Sequence, residues 1–111
     1  TRGVEVSKEL LKERISLSGE GFILVRVIVE EKKRRLLERP FAATFGWIEA
    51  GDVDDRLNEI IEEIIIVLNG ALAEGEFDKK ELTRLVRRTM GKFVDIKTGR
   101  RPVLFPLVEI N

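Results

Sequence analysis

The chain's apolar positions change spacing several times, and each spacing predicts a different element. The segment SKELLKERISLS, from Ser7, opens on a serine cap and sets Leu10, Leu11 and Ile15 at helical intervals before Gly19 and Gly21. It predicts a short helix over residues 7 to 17. From Phe22 to Glu31 the run FILVRVIVEE is dense in β-branched residues and bracketed by glycine and charge, which predicts a strand. Its faces differ: Ile23, Val25, Val27 and Val29 are uniformly apolar, whereas Phe22, Leu24, Arg26, Ile28 and Glu30 mix apolar with charged. The first set belongs on the core.

The charged run at 31 to 35 reads as a solvated turn, and LLERPFAATFGWIE as a second extended segment, bent where Pro40 and Gly46 interrupt pairing. An antiparallel hairpin is the natural pairing, with Phe41, Ala43, Phe45 and Trp47 sharing one face. Asp52 is placed to cap a long helix reaching about Ala73, whose inward stripe is Val53, Leu57, Ile60, Ile61, Ile64, Leu68, Ala71 and Leu72. Isoleucine and valine are middling helix formers, so this helix must rest on packing rather than propensity. Gly75 ends it. Phe77-Asp78-x-x-Glu81-Leu82 then carries an aspartate variant of the capping box, with Phe77 placed to staple onto Leu82. The helix it starts has Leu82, Leu85, Val86, Thr89, Met90, Phe93 and Val94 on its apolar face, and Gly99 and Pro102 stop it. The final RPVLFPLVEIN, apolar on both alternating faces, predicts a last strand with its prolines where no ladder donor is needed.

The predicted order is αββααβ: an α+β fold of two layers, a three-stranded sheet packed on two long helices, with a short N-terminal helix. Two helices can cover only one face of such a sheet. The other would carry Phe22, Leu24 and Ile28 from the first strand and an alternating set, Phe105 and Leu107, from the last. Burying four or five such side chains is worth about 6 to 15 kcal/mol before association costs, at roughly 1.5 to 3 kcal/mol each. These five residues are therefore the candidate partner interface. Two other arrangements would also cover the face: the N-terminal helix folded over it, or docking on a preceding domain.

At 111 residues and 43% apolar content there is room for one domain with a modest core, residues 1 to 111, and no second. Twenty basic residues balance twenty acidic ones, so no global field draws the chain to nucleic acid or an anionic membrane. The balance is local, however. Residues 52 to 76 hold eight acidic side chains against Arg56 alone, and residues 78 to 101 hold nine basic ones against Asp78, Glu81 and Asp95. The simpler reading is a pair of solvated faces whose opposite signs fix helix pairing or subunit register. The sharper one is a phosphate-contacting patch of Arg84, Arg87, Arg88, Lys92, Arg100 and Arg101.

With no cysteine and no histidine, the chain lacks thiol nucleophiles, imidazole bases and the usual nitrogen and sulfur ligands of zinc. There is no Gly-rich phosphate loop and no calcium loop. Asp52, Asp54 and Asp55 sit at a predicted helix N-terminus, where capping explains them better than a magnesium site does. Glu62 and Glu63 are adjacent on a helix edge and cannot converge across a scissile bond. No catalytic constellation or cofactor site is expected in this segment. No apolar run approaches bilayer-spanning length, a cytoplasmic setting is expected, and the opening Thr-Arg-Gly suggests a piece of something longer.

The ending KTGRRPVLFPLVEI from Lys97 resembles the terminal stretch of the ribonuclease J C-terminal domain: paired arginines, proline, apolar residues, a second proline and a closing acidic strand. The basic amphipathic LTRLVRRTMGKFV and the opening LKERISLSGEGFILVRVIV are similar to the same family. The middle departs from it. Arg39-Pro40 and Phe45-Gly46-Trp47 stand where the family usually has glycine-proline and arginine-glycine-phenylalanine, so a contact made by that arginine does not carry over. The resemblance implies a C-terminal accessory domain, three strands on two helices, that supports dimer or tetramer formation. It also implies a parent that is a metallo-β-lactamase-class, metal-dependent 5′-to-3′ exoribonuclease with endonuclease activity. Zinc is then expected in the upstream catalytic domain, and the expected partners are a second copy, that upstream domain and, through the parent, RNA.

Overall fold

The computed structural model describes residues 21–46, 52–97 and 101–111. The helix predicted over residues 7 to 17, Trp47 and Arg100 lie outside them. The described elements run β1 (Phe22–Glu30), β2 (Arg35–Leu36), β3 (Phe41–Phe45), α1 (Val53–Ala73), α2 (Lys79–Lys97) and β4 (Val103–Ile110). Both long helices and the first and last strands lie where the periodicity predicts them.

β1 is the sheet's centre. β2 pairs antiparallel with its end, Val29 opposite Leu36, and β3 pairs antiparallel with its start, Phe22 opposite Phe45 and Arg26 opposite Phe41. β4 runs parallel along nearly all of β1, from Phe22 beside Val103 to Val29 beside Ile110. β2 and β3 therefore share one edge, with β4 on the other. The sheet is mixed and has four strands rather than three, because the second extended segment is split at residues 37–40. Pro40, which has no N–H to donate, lies in that break and is buried. Gly21 and Gly46, both at positive φ (84° and 72°), meet where β1 begins and β3 ends; a Cβ on Gly46 would come 3.4 Å from the Gly21 Cα. Only glycine reaches that backbone conformation without strain.

The parallel ladder explains how β4 tolerates proline. The amide of Val103 donates to the Gly21 carbonyl at 2.9 Å and that of Asn111 to Val29 at 2.8 Å, so odd-numbered residues point their N–H groups at β1. Pro102 and Pro106 fall on the alternate positions, where the N–H would face away from the ladder.

α1 and α2 form a hairpin over one face of the sheet. Ile23, Val25, Val27 and Val29 are wholly buried against Ile60, Ile64, Leu68 and Leu72 of α1 and Leu82, Val86 and Met90 of α2. At about 25 cal/mol per Å² of apolar surface removed from water, this interior dominates the stabilisation. Thr44, on the core side of β3, bonds its hydroxyl to the Phe22 carbonyl at 2.5 Å, so its polar group is satisfied.

The helix ends differ from expectation in detail. Asp52 occupies the N-cap of α1, but its backbone is already near helical (φ −110°, ψ −1°) and its side chain makes no capping bond. A cap works best from extended backbone, which aims the carboxylate at the free amides. Asp78 does cap α2, accepting from the amides of Lys80 (2.8 Å) and Glu81 (3.3 Å). The cap residue's own amide donates to the Glu76 carboxylate at 3.0 Å, while Glu81 pairs with Arg84. Phe77 packs against the cluster containing Leu82, as a staple would. α1 closes with amides of Gly75 and Glu76 donating to Leu72 and Ala71, and Gly75 takes φ 86°.

Candidate functional site

Strand alternation and register decide what the sheet presents on the face that α1 and α2 leave uncovered among the described residues. β1 contributes Phe22, Leu24, Arg26 and Ile28, the register aligns Val103, Phe105, Leu107 and Glu109 of β4 beside them, and β3 adds Phe45, Ala43 and Phe41 on the other side. All five predicted interface residues, Phe22, Leu24, Ile28, Phe105 and Leu107, thus lie on one surface. They are not equally available. Phe22, Leu24, Phe105 and Leu107 are partly exposed, but Ile28 is buried at 9% exposure, a correction to its reading as an open contact residue. Alternation gives the direction of a side chain and not what lies above it.

This face is divided along its length. At the start of β1 an aromatic row crosses three strands: Phe22 stacks near-parallel on Phe45 with centroids 6.4 Å apart and meets Phe105 edge-on at 6.2 Å. Phe45 and Phe41 are 64% and 59% exposed, unusual for side chains of this size. Towards the other end the surface turns polar, with ion pairs Arg26–Glu109 at 3.5 Å and Arg35–Glu30 at 2.9 Å. The charges cancel there, so the face carries no net attraction for phosphate.

The other candidate surface is the outer side of the helix layer. On α2, Arg84, Arg88 and Lys92 follow each other at i, i+4 and i+8 with Arg87 beside them, all exposed. Arg101 lies apart from this stripe in sequence, just before β4. Across from them, α1 presents Glu59, Glu62 and Glu63. The two walls enclose a cleft of about 750 Å³ in which these glutamates face Arg88 and Lys92 over an apolar floor of Val67, Leu85 and Phe93. Opposite charge does not tie the helices together directly: among the described residues no ion pair joins α1 to α2. Glu62 instead binds Arg39 of the β2–β3 connection at 2.6 Å, and Glu59 meets Arg56 at 3.4 Å within α1. Both charge sets stand in the sequence, and the helix hairpin sets them as facing walls.

Asp54 and Asp55 lie in the first turn of α1, favourable beside its positive end, and among the described residues no group of three or more carboxylates could hold a metal ion. The sequence has neither histidine nor cysteine, the usual nitrogen and sulfur ligands of zinc. Also among the described residues, no helix is long and apolar enough to cross a membrane.

Comparison with known proteins returns one family. The model of the ribonuclease J C-terminal domain matches residues 9–110. Ribonuclease J of Corynebacterium glutamicum is 33% identical over 104 residues, covering 94% of this chain and 14% of the relative. A protein named ribonuclease J 2 from Streptococcus pyogenes is 30% identical, covering 94% of this chain and 19% of the relative, and one of the same name from Staphylococcus aureus is 24% identical over 105 residues. The chain thus spans between 14% and 19% of the length of these curated relatives.

Proposed function

The chain belongs to the ribonuclease J C-terminal domain family, and on that premise we propose that it is the assembly domain of a longer, ribonuclease J-like enzyme, using its uncovered sheet face to hold protomers or domains together. The parent would be a cytoplasmic, metal-dependent 5′-to-3′ exoribonuclease with endonuclease activity in RNA processing and decay. Zinc would bind in the part that precedes this domain, since the sequence here has neither histidine nor cysteine. The domain would support activity by arrangement, not by chemistry.

One observation carries this reading: Phe22, Leu24, Phe105 and Leu107 lie together, partly exposed, on the side of the sheet away from the helices, beside the exposed Phe41 and Phe45. A contiguous apolar surface rimmed by ion pairs suits a protein partner better than water. The test is sedimentation velocity of the chain, and of the longer enzyme, with Leu24→Asp. Loss of association by a folded variant is expected. A monomeric wild-type chain at high concentration that also fails to bind the catalytic portion would overturn the reading.

A second reading, RNA binding through α2, is favoured by Arg87, Arg88 and Lys92 being exposed and, among the described residues, free of ion pairs. Against it, Glu59, Glu62 and Glu63 form the opposite wall of the cleft and would repel a phosphate chain there. It requires RNA affinity that falls steeply with salt and with Arg87→Glu or Arg88→Glu.

A further inference from the structure

From the charge layout of the helix layer we infer a second self-association surface, on the side opposite the sheet face: two copies stacked helix layer on helix layer, each α1 over the other's α2. This goes beyond the proposed sheet-face contact and does not depend on it.

The layout selects the occupant. One wall of the cleft is acidic (Glu59, Glu62, Glu63) and the other basic (Arg88, Lys92), and Glu63, Arg88 and Lys92 have no ion-pair partner among the described residues. A polyanion would satisfy one wall and be repelled by the other. A second copy satisfies both. The five residues 74 to 78 fold α2 back beside α1, and the cleft residues follow that order, Glu59 level with Lys92 and Val67 level with Leu85 in distance from the turn. A two-fold axis running parallel to the helices exchanges left and right while keeping each residue's level along the layer. It therefore lays Arg88 and Lys92 of one copy over Glu59 and Glu63 of the other, twice per pair. An axis at right angles to the helices would lay acid on acid, so the charges also set the orientation.

The apolar content fits this arrangement. Val67, Leu85 and Phe93 floor the cleft, and Ile66, on the same side of α1 as Glu62 and Glu63, is 67% exposed. Four helices packed in this way form a bundle with an apolar seam between charged flanks. The layer is small. A helix of this length runs about 30 Å and two lie about 20 Å wide, giving on the order of 600 Å² per copy, less than the roughly 800 Å² per partner of a standard stable interface. The contact is therefore weak in isolation and sensitive to salt.

Complementary charge reversal tests it. Glu59→Lys/Glu63→Lys turns the acidic wall of the cleft net basic, so that both walls are basic, and leaves the Arg39–Glu62 bond intact; Arg88→Glu/Lys92→Glu turns the basic wall acidic, so that both walls are acidic. In sedimentation equilibrium at low salt, each variant alone should self-associate at least about tenfold more weakly than wild type through this face. An equimolar mixture should form the heterodimer with affinity close to wild type, and salt should weaken both it and the wild-type pair. Circular dichroism on each variant confirms that exposed positions were changed without loss of fold, and recovery in the mixture is something a misfolded variant could not show. Two monomeric variants that stay monomeric when mixed would overturn the inference. So would wild-type association that ignores both reversals but is lost with Leu24→Asp, a result that would leave the sheet-face reading standing. Single-stranded RNA captured by Arg88 and Lys92, with no self-association, would overturn it as well.

Discussion

Along β1, Ile23, Val25, Val27 and Val29 are wholly enclosed, while their neighbours Phe22 and Leu24 are only partly buried and Arg26 stands in solvent. Residue type does not account for this difference. Leucine and phenylalanine are as apolar as valine, and they are left partly uncovered because a two-helix layer reaches one face of the sheet and not the other. One side of the strand specifies how this chain folds, and the other is the side on which the proposed contact would form.

Substitutions along this one strand can break or sharpen the contrast. Val27→Asp puts an unpaired charge among residues that admit no water and should leave the chain unfolded by circular dichroism. Ile23→Ala, on the same side, should cost about 2 to 5 kcal/mol in urea denaturation, as large-to-small core changes do. Ile28→Ala is the sharper probe. Its 9% exposure predicts a cost nearer the core value, about 2 kcal/mol, despite pointing the other way, and a cost below about 0.5 kcal/mol would mean that nothing covers it. Leu24→Ala should cost less than Ile23→Ala in the same assay while weakening self-association in sedimentation. Smallest of all, Arg26→Ala removes a half-exposed ion pair with Glu109 and should change stability by no more than about 1 kcal/mol, vanishing in high salt.

The sequence made the elements legible because local signals carried them. Asp78 and its neighbours mark a helix start in any context, and the alternation from Ile23 to Val29 marks an inward face. What was not legible depended on distant partners. That Val103–Ile110 runs parallel to β1 is decided by where the helix hairpin returns the chain, and no residue of β4 encodes it. The split of the second strand was visible only as Pro40, since two short strands and one bent strand share a composition. Asp52 has the right chemistry for a cap, yet a helical φ/ψ at that position turns its carboxylate away from the amides. The candidate surfaces divide in the same way. Alternation alone gave the membership of the sheet face, whereas the availability of Ile28 and the facing of Glu63 by Arg88 required the packed molecule.

The prolines of β4 have a consequence for crowded solutions. A strand at the margin of a sheet is a template on which foreign chains can add themselves, and runaway stacking of that kind ends in fibres. Here the outward donors of β4 are interrupted at Pro106, midway along the strand, and at Pro102 just ahead of it, so an arriving strand finds gaps in the row it must bond to. Lateral growth is discouraged on that margin by the missing donors. The two proposed contacts would then form on the broad surfaces while growth along a third direction is resisted, a safeguard for a domain whose exposed phenylalanines would otherwise invite aggregation.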